Sequence, residues 1–206
     1  MPEHDDEQVD VAWITTYCEK SFHLYGDDPD EIDIRDIAHA LSNQCRFTGH
    51  VSRFYSVAQH SILVSDLVAL SGGSFEQQRH ALMHDASEAY LSDVAAPFKK
   101  EIPGYHDAEE LIEKRICDKF NLAPKSDLIK ECDWYALFIE ADYLVNAGGK
   151  VFLGYKKYGA KAKEFDADLF GVGHVFVPEL PRVAELEFLN AARRLKLYDG
   201  EHNARR

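Results

Sequence analysis

RHALMHDASEAYL, residues 79–91, places an adjacent histidine and aspartate, His84 and Asp85, inside an apolar helical pattern. A neutral imidazole nitrogen and a carboxylate oxygen together suit a divalent transition ion, which both can reach if it lies between packed helices. The pair is weak on its own, because a chain with ten histidines contains His-Asp by chance. Without partners, an exposed pair on a solvated helix face is the simpler interpretation.

His60 is the first candidate partner of the pair. The segment Ser56-Val57-Ala58-Gln59 has the form of a capping box and predicts the start of a helix. His60 lies in the first turn of that helix, on the same side as the apolar stripe of residues 63–68. The spacing therefore predicts that His60 points inward.

Asp133 is the second candidate partner. The segment Pro124-Lys125-Ser126 begins the last long core helix. At about 100° per residue, Asp133 shares a face with Ile129 and Glu140, whereas Asp142 points to the opposite side. The spacing therefore predicts that Asp133 is the inward carboxylate.

His60, His84, Asp85 and Asp133 form a set of four candidate ligands from three predicted helices. A single histidine on an apolar face is more often a hydrogen-bonded core residue, but four aligned candidates favour a metal. Mixed nitrogen and oxygen ligands admit one divalent ion, which the sequence leaves open among Mn, Co, Ni, Fe, Zn and Mg. Four protein ligands leave an octahedral ion two open positions.

The first part of the chain predicts short elements ahead of this set. Residues 1–10 predict a flexible acidic tail, and residues 11–206 a single domain. Residues 11–22 are apolar and predict a first helix or a strand. Asp33 is expected to cap a short helix that ends near residues 42–43, and residues 43–55, without a clean period, predict a loop.

The rest of the chain predicts further helices. A second capping box at Ser74-Phe75-Glu76-Gln77 opens a helix that is expected to contain His84-Asp85 and to run to about Leu91. Residues 92–100 predict a loop because of their proline, and residues 107–120 an amphipathic helix. Residues 150–177 lack strong periodicity and predict an irregular excursion, after which a terminal helix begins. The predicted class is an all-α bundle with a C-terminal helical extension.

Composition excludes several classes of protein. A net charge of −13 argues against broad binding to nucleic-acid polymers, which needs a basic surface to displace counterions. A local basic pocket for a small phosphorylated substrate remains compatible with it. No apolar run has membrane-spanning length and the acidic start does not resemble a leader, so we expect a cytoplasmic protein without a membrane partner.

The cysteines indicate neither a disulfide framework nor a zinc knuckle. They are irregularly spaced and contain no Cys-x-x-Cys motif. We expect four reduced, buried thiols, at Cys18, Cys45, Cys117 and Cys132.

Several motifs together match a known superfamily. They are Ser56-Val-Ala-Gln-His-Ser61, residues 81–93, Pro97-Phe98-Lys99, and Lys130-Glu131-Cys132-Asp133 with Ala136-Leu137. In order and spacing the chain resembles the HD-domain phosphohydrolase superfamily over about residues 33–147. It is most similar to bacterial and phage nucleotide phosphohydrolases related to 5′-deoxynucleotidases and dATP triphosphohydrolases.

The resemblance implies different roles for the individual carboxylates. It implies that the four candidate ligands bind one divalent metal, with Glu88 and Asp93 beside it handling water and protons. Glu88, one turn after His84 in the predicted helix, would take the proton of the water, or orient a ligand histidine instead. Asp93 would donate a proton to the leaving oxygen, or only cap a turn.

The resemblance also implies a substrate contact. Arg46, in Arg46-Phe47, falls where the family places an arginine that contacts phosphate. Together with Arg53 and Lys99 it would clamp phosphate charge, the alternative being solvated surface charges, above all for Arg53 and Lys99. Gln59 departs from the family, in which glutamate often precedes the first ligand histidine, so no catalytic role is expected there.

The resemblance implies a metal-dependent phosphohydrolase acting on nucleotides, expected to be deoxynucleotides. Either a monophosphate loses its phosphate, or a triphosphate such as dATP is cleaved, by attack of a metal-activated water on phosphorus. One alternative is a nucleotide sensor without turnover, and another is a di-iron oxygenase, which would need further ligands such as His80. His50, His80 and His106 stay unassigned, and the aromatic segment 151–155 is compatible with a homodimer.

Overall fold

A short hairpin and nine α-helices make up the described part of the chain, which the computed structural model gives for residues 12–170 and 176–200. The strands are β1 (Trp13–Thr15) and β2 (Ser21–His23), and the helices are α1 (Ile34–Asn43), α2 (Val57–Leu70), α3 (Phe75–Leu82), α4 (Glu88–Leu91), α5 (Ala96–Lys99), α6 (Tyr105–Phe120), α7 (Asp127–Leu144), α8 (Tyr155–Phe170) and α9 (Pro181–Arg194). Single 3-10 turns lie at Pro29–Glu31, Arg46–Gly49 and Gly149–Val151. The predicted all-α class is confirmed, since within these ranges the two antiparallel strands form the only sheet.

Local capping sequences begin three of the helices. The Asp33 side chain accepts a hydrogen bond from the Arg35 amide at 3.0 Å and caps α1, which ends at Asn43 as predicted. Complete capping boxes begin α2 at Ser56 and α3 at Ser74. These predictions are confirmed, because a cap satisfies orphan amides of its own helix and needs no distant partner.

The Asp33 cap makes one part of the stability depend on pH. Burial acts to raise the pKa of Asp33, but hydrogen bonds from the Arg35 guanidinium and amide lower it to about 2. Because the pKa of Asp33 is lower in the folded chain than in the unfolded chain, its ionised carboxylate stabilises the fold above the unfolded pKa. This contribution is lost as the pH falls to the folded pKa. Between about pH 5 and pH 2.5 the native chain should lose about 1 kcal/mol more unfolding free energy than Asp33→Asn, since screening reduces the full effect. Denaturant unfolding at each pH measures the difference, and parallel pH curves would contradict it.

Helix α2 lies at the centre of the fold and is buried almost all round. Its first turn packs in an apolar cluster with Leu41 of α1 and Phe188 of α9. Its later turns pack in a second cluster with Ile129 and Phe138 of α7. A helix that is apolar on all sides is stable only when enclosed in this way. The packing therefore leaves His60 of α2 with no exposed surface.

The predicted helix over residues 74–91 is interrupted. Helix α3 ends at Leu82, and a turn at 83–87 leads into the four residues of α4. The amides of Met83 and His84 bond to carbonyls three residues earlier, at 3.0 and 3.5 Å. This tighter pattern ends an α-helix, so the prediction of a continuous helix is wrong.

Two segments that were predicted to be irregular contain helices. The predicted loop at 92–100 includes α5, in which Pro97 occupies the first turn, where proline is tolerated. The predicted excursion at 150–177 includes α8, whose Tyr158 and Phe165 pack with aromatic side chains of α7. Both predictions are wrong: α5 is a single turn of four residues, and α8 is stabilised by its packing on α7.

The ends of the chain follow the predictions where the structure describes them. Residues 11–22 were expected to form a helix or a strand, and β1 with part of β2 lies there. Helix α9 is the predicted terminal helix and packs on α1 and α2. The predicted tail at 1–10 lies outside the described residues, as do residues 171–175. Across the ranges that are described, no helix combines the length and apolarity that a membrane span requires.

The four cysteines are free thiols, as predicted. Cys132 is buried, whereas Cys18, Cys45 and Cys117 are only half-buried. The prediction of four buried thiols is therefore correct for Cys132 alone.

Candidate metal centre

Side chains from three separate segments converge beside α2. They are His60 of α2, His84 and Asp85 of the turn after α3, and Asp133 of α7. Asp85 Oδ2 lies 3.5 Å from His60 Nε2 and 3.2 Å from His84 Nε2. Asp133 Oδ1 lies 3.1 Å from His60 Nε2 and 3.9 Å from His84 Nε2. The structure therefore brings together all four predicted ligands.

The turn after α3 explains how two adjacent residues reach one point. In a regular helix, neighbouring side chains diverge by about 100°. Because the backbone leaves the helix after Leu82, His84 and Asp85 can both face α2 and α7. The sequence predicted that these residues lie together, but the continuous helix that it predicted for them is wrong.

The cluster fits a divalent cation. His60 Nε2 and His84 Nε2 are buried and have no hydrogen-bond partner among the described residues, although carboxylate oxygens lie nearby. One ligand atom each of His60, His84 and Asp133 lies within 4.8 Å of the others. Buried polar atoms are normally satisfied, and a cation held between these atoms would satisfy both nitrogens.

The cluster opens to solvent on its carboxylate side. The side chains of His60 and His84 are 0% and 1% exposed, whereas those of Asp85 and Asp133 are 21% and 45% exposed. A small substrate can therefore approach along the carboxylates, and the histidines form the closed wall of the site.

Hydrogen bonds fix both imidazole rings. His84 Nδ1 is 2.8 Å from the Ala81 carbonyl, which can only accept, so His84 donates from Nδ1. His60 Nδ1 lies 2.7 Å from Glu140 Oε1. Donation from Nδ1 leaves the lone pair of Nε2 directed at the cluster, which is the tautomer that a metal ligand needs.

Glu140 links His60 to Arg46. The carboxylate has no exposed surface, and Arg46 donates to Glu140 Oε2 from its Nε at 3.3 Å and from a terminal nitrogen at 3.1 Å. Burial acts to raise the pKa of Glu140, but His60 and Arg46 outweigh it and lower the pKa. Sequence reasoning put Glu140 on the face of Asp133 but gave it no role. The available signal was a carboxylate on the same helix face as Asp133, seven residues after it.

The charges of the cluster depend on one another. Burial and the Arg46 charge act to lower the pKa of His60, but Glu140 and Asp133 outweigh them and raise it to about 10. Burial likewise acts to raise the pKa of Asp85 and of Asp133, but the neighbouring histidines lower both values. The carboxylates therefore stay ionised, and a bound cation would displace a proton from the His60 imidazole.

Glu88, the first residue of α4, is held beside Lys99. Its side chain is 6% exposed, and Lys99 Nζ donates to Glu88 Oε1 at 3.1 Å and to Glu109 Oε1 at 2.6 Å. Glu88 Oε2 is buried without a hydrogen-bond partner in the described part of the chain. Burial raises the pKa of Glu88, Asp85 and Asp93 raise it further, and Lys99 offsets part of the shift. Lys99 was predicted to contact phosphate, but the structure places it between two glutamates.

Asp93 lies two residues after α4, beyond a strained backbone. Ser92 has a φ of 72°, which is unusual for a residue with a side chain. The Asp93 amide donates to Gln44 Oε1 at 2.8 Å. Burial raises the pKa of Asp93; Arg46 lowers it and Asp85 raises it, so its carboxyl lies within electrostatic range of both side chains. Sequence reasoning assigned no function to Gln44.

The other predicted substrate contacts divide into two cases. Phe47 stays near the site, since the Arg46 guanidinium lies 5.5 Å from its ring centroid. Phe47 and Thr48 have φ values of 56° and 54°, a strained pair in the turn that carries Arg46. Arg53 is exposed and lies outside the cluster.

The remaining polar residues that the sequence singled out either form hydrogen bonds to the backbone or are exposed. Gln59 Oε1 accepts from the Glu179 amide at 3.3 Å and completes the cap of α2. His80 Nδ1 lies 2.5 Å from the Ala123 carbonyl, beside a cleft of about 400 Å³. His50 and His106 are exposed.

Known proteins resemble this chain over most of their length. It is 45% identical over 131 residues to the uncharacterized protein YfdR of Escherichia coli strain K12, covering 63% of this chain and 71% of that protein. It is 34% identical over 143 residues to an uncharacterized protein of Rhodobacter capsulatus, covering 65% and 73%. No family model matches the chain.

Proposed function

Because the chain belongs to the protein family of Escherichia coli YfdR, whose name states no activity, we propose its function from the site: a metal-dependent phosphohydrolase of the HD-domain type that acts on nucleotides. One observation carries the proposal. Two buried imidazole nitrogens without hydrogen-bond partners in the described residues face two carboxylates, beside a buried glutamate with a free oxygen. Metal-assisted hydrolysis uses this combination of a cation site and an adjacent base.

His60, His84, Asp85 and Asp133 would hold the divalent ion. When bound, the ion would polarise a phosphoryl oxygen and acidify a water molecule. The histidines need no proton transfer of their own, since their Nδ1 atoms are engaged by Glu140 and the Ala81 carbonyl. Asp85 and Asp133 line the open side, so the phosphate would approach past them.

Glu88 and Asp93 would move the protons. The oxygen of the attacking water forms a bond to phosphorus while Glu88 takes a proton from it. The bond from phosphorus to the ester oxygen breaks, and the carboxyl of Asp93 gives that oxygen a proton. The raised pKa of Asp93 keeps its proton to higher pH, and Lys99 stabilises the ionised form in which Glu88 takes a proton.

The charges around the site favour a monophosphate over a triphosphate. The guanidinium of Arg46 is neutralised by Glu140, and the ammonium of Lys99 by two glutamates. Arg53, the third predicted phosphate contact, is exposed. A triphosphate carries more negative charge than these paired cations can offset, whereas one phosphate group needs little beyond the metal.

The same residues favour turnover over sensing alone. A binding module has no need for a buried carboxylate of raised pKa beside its metal ligands, because keeping such a group there costs free energy. The di-iron alternative would need His80 as a further ligand. His80 instead bonds to the Ala123 carbonyl and is not part of the cluster formed by His60, His84 and Asp133.

A product analysis tests the proposed function. The chain, loaded separately with Mn, Co or Mg, is incubated with ribo- and deoxynucleoside mono-, di- and triphosphates, and the products are separated by chromatography. We expect nucleoside and orthophosphate from monophosphates, with deoxynucleotides preferred. Nucleoside and tripolyphosphate would replace the monophosphate assignment by a triphosphohydrolase. No product from any substrate, with metal bound in stoichiometric amount, would contradict the proposed function.

A further inference from the structure

The side chain of Gln44 joins the two segments that carry the proposed base and acid. Its Nε2 donates to the carbonyl of Glu88 at 2.9 Å, and its Oε1 accepts from the amide of Asp93 at 2.8 Å. The donor and the acceptor of one side-chain amide therefore both bond to backbone groups that lie 44 to 49 residues later in the sequence. We propose that Gln44 is a positioning residue that holds Asp93 at the metal centre.

The segment that Gln44 holds has little local stability of its own. Helix α4 is a single turn of four residues, and Ser92 after it has a φ of 72°. A side-chain-bearing residue in this region costs free energy, so the conformation persists only where its neighbours are held. Tyr105 donates to the Ser92 carbonyl at 3.1 Å, and Gln44 holds the amide that follows.

Gln44 is itself anchored to the helix that carries His60. Its carbonyl accepts from the Val57 amide at 3.1 Å, at the first turn of α2. The adjacent Cys45 forms an isolated bridge with Ser56, the residue that caps α2. The start of α2, which positions His60, therefore also positions Asp93 through Gln44.

Glutamine meets a requirement that few side chains meet. The site needs a donor for a carbonyl and an acceptor for an amide at the end of a three-carbon side chain, and the glutamine amide supplies both. Methionine keeps the length and the packing but forms neither bond. The contribution to chemistry rests on the proposed function, in which the Asp93 carboxyl passes its proton to the ester oxygen and is left as a carboxylate. The contribution to the position of Asp93 does not rest on it.

The test compares Gln44→Met with the native chain, both metal-loaded. Asn43→Ala is the matched control, because it changes the same end of α1 but its side chain bonds only within that helix, to His39. Amide exchange of Asp93 is measured without substrate. Turnover is measured on a nucleoside 5′-monophosphate, whose leaving oxygen needs a proton, and on p-nitrophenyl phosphate, whose leaving group does not.

We expect exchange of the Asp93 amide to become at least about 10-fold faster in Gln44→Met and to stay native in Asn43→Ala. For the nucleotide, kcat should fall about 10- to 100-fold with KM little changed, while turnover of the aryl ester falls less than about 3-fold. Unchanged exchange at Asp93 overturns the proposal, and so does an equal loss on both substrates, which indicates a general structural effect. If the native chain hydrolyses neither substrate, the proposed function fails, and the exchange result still decides whether Gln44 holds Asp93. If Gln44→Met does not fold, Gln44→Glu replaces it; this variant keeps the acceptor, so loss of Asp93 protection in it overturns the proposal.

Discussion

Asp85→Asn is expected to lower turnover by at least about 10³-fold and to remove the bound metal on dialysis, while the helical circular-dichroism spectrum stays native. The carboxylate lies 3.2 Å from His84 Nε2 and 3.5 Å from His60 Nε2, so it supplies negative charge at the point where the two imidazoles meet. Asparagine has nearly the same shape but no charge. It leaves two buried imidazoles with a single carboxylate, Asp133, to balance a cation.

His84→Ala is expected to give the same loss from the nitrogen side. Its ring is buried and its Nε2 has no hydrogen-bond partner among the described residues, so removal costs the fold one bond to Ala81 and the site one ligand. The control is His106→Ala, which removes an exposed histidine whose one ion pair within the described ranges is with Glu110. Metal content by elemental analysis and initial rates on nucleoside monophosphates are measured together. Native turnover and native metal content in Asp85→Asn or His84→Ala would disprove the assignment of the metal centre.

Glu140→Leu is expected to destabilise the fold by about 3–5 kcal/mol. The carboxylate is fully buried between His60 Nδ1 and the Arg46 guanidinium. Leucine removes the carboxylate to which the buried Arg46 guanidinium donates, and breaking a buried pair from one side costs far more than removing both partners. Thermal and denaturant unfolding of the metal-loaded protein measure the loss.

A double-variant cycle separates the pair from the site. Arg46→Leu combined with Glu140→Leu should be more stable than Glu140→Leu alone, because no unpaired charge remains. Glu140→Gln keeps an acceptor for His60 Nδ1 without the charge, so we expect native-like folding with about 10- to 100-fold weaker metal binding. A double variant less stable than Glu140→Leu, or native metal affinity in Glu140→Gln, would contradict the role given to Glu140.

The parts of the fold that the sequence predicted correctly depend on local chemistry. The caps at Asp33, Ser56 and Ser74 each satisfy amides within their own helix, so residues two or three positions apart contain all the information. The inward direction of His60 and Asp133 followed from the helical period, which the structure retains in α2 and α7.

The parts that were wrong depend on contacts between distant segments. Residues 79–91 have a helical pattern, yet the chain turns after Leu82, and His84 and Asp85 reach α2 and α7 from that turn. The glycine and aromatic residues of 150–177 looked irregular, although Tyr158 and Phe165 are seven apart and pack on α7. Packing on α7 buries one side of this helix, and that contact lies outside any local pattern.

The sequence by itself determined the helical class, the helix starts and the four candidate ligands, because capping and periodicity act within a few residues along the chain. Only the tertiary structure decided which side chains hydrogen-bond to those ligands and to the neighbouring residues of the site. Glu140 behind His60, Lys99 between two glutamates and Gln44 across Glu88 and Asp93 are pairings over 10 to 80 residues of sequence. Such pairings follow from how α1, α2, α6 and α7 pack, and no local pattern encodes a partner that distant.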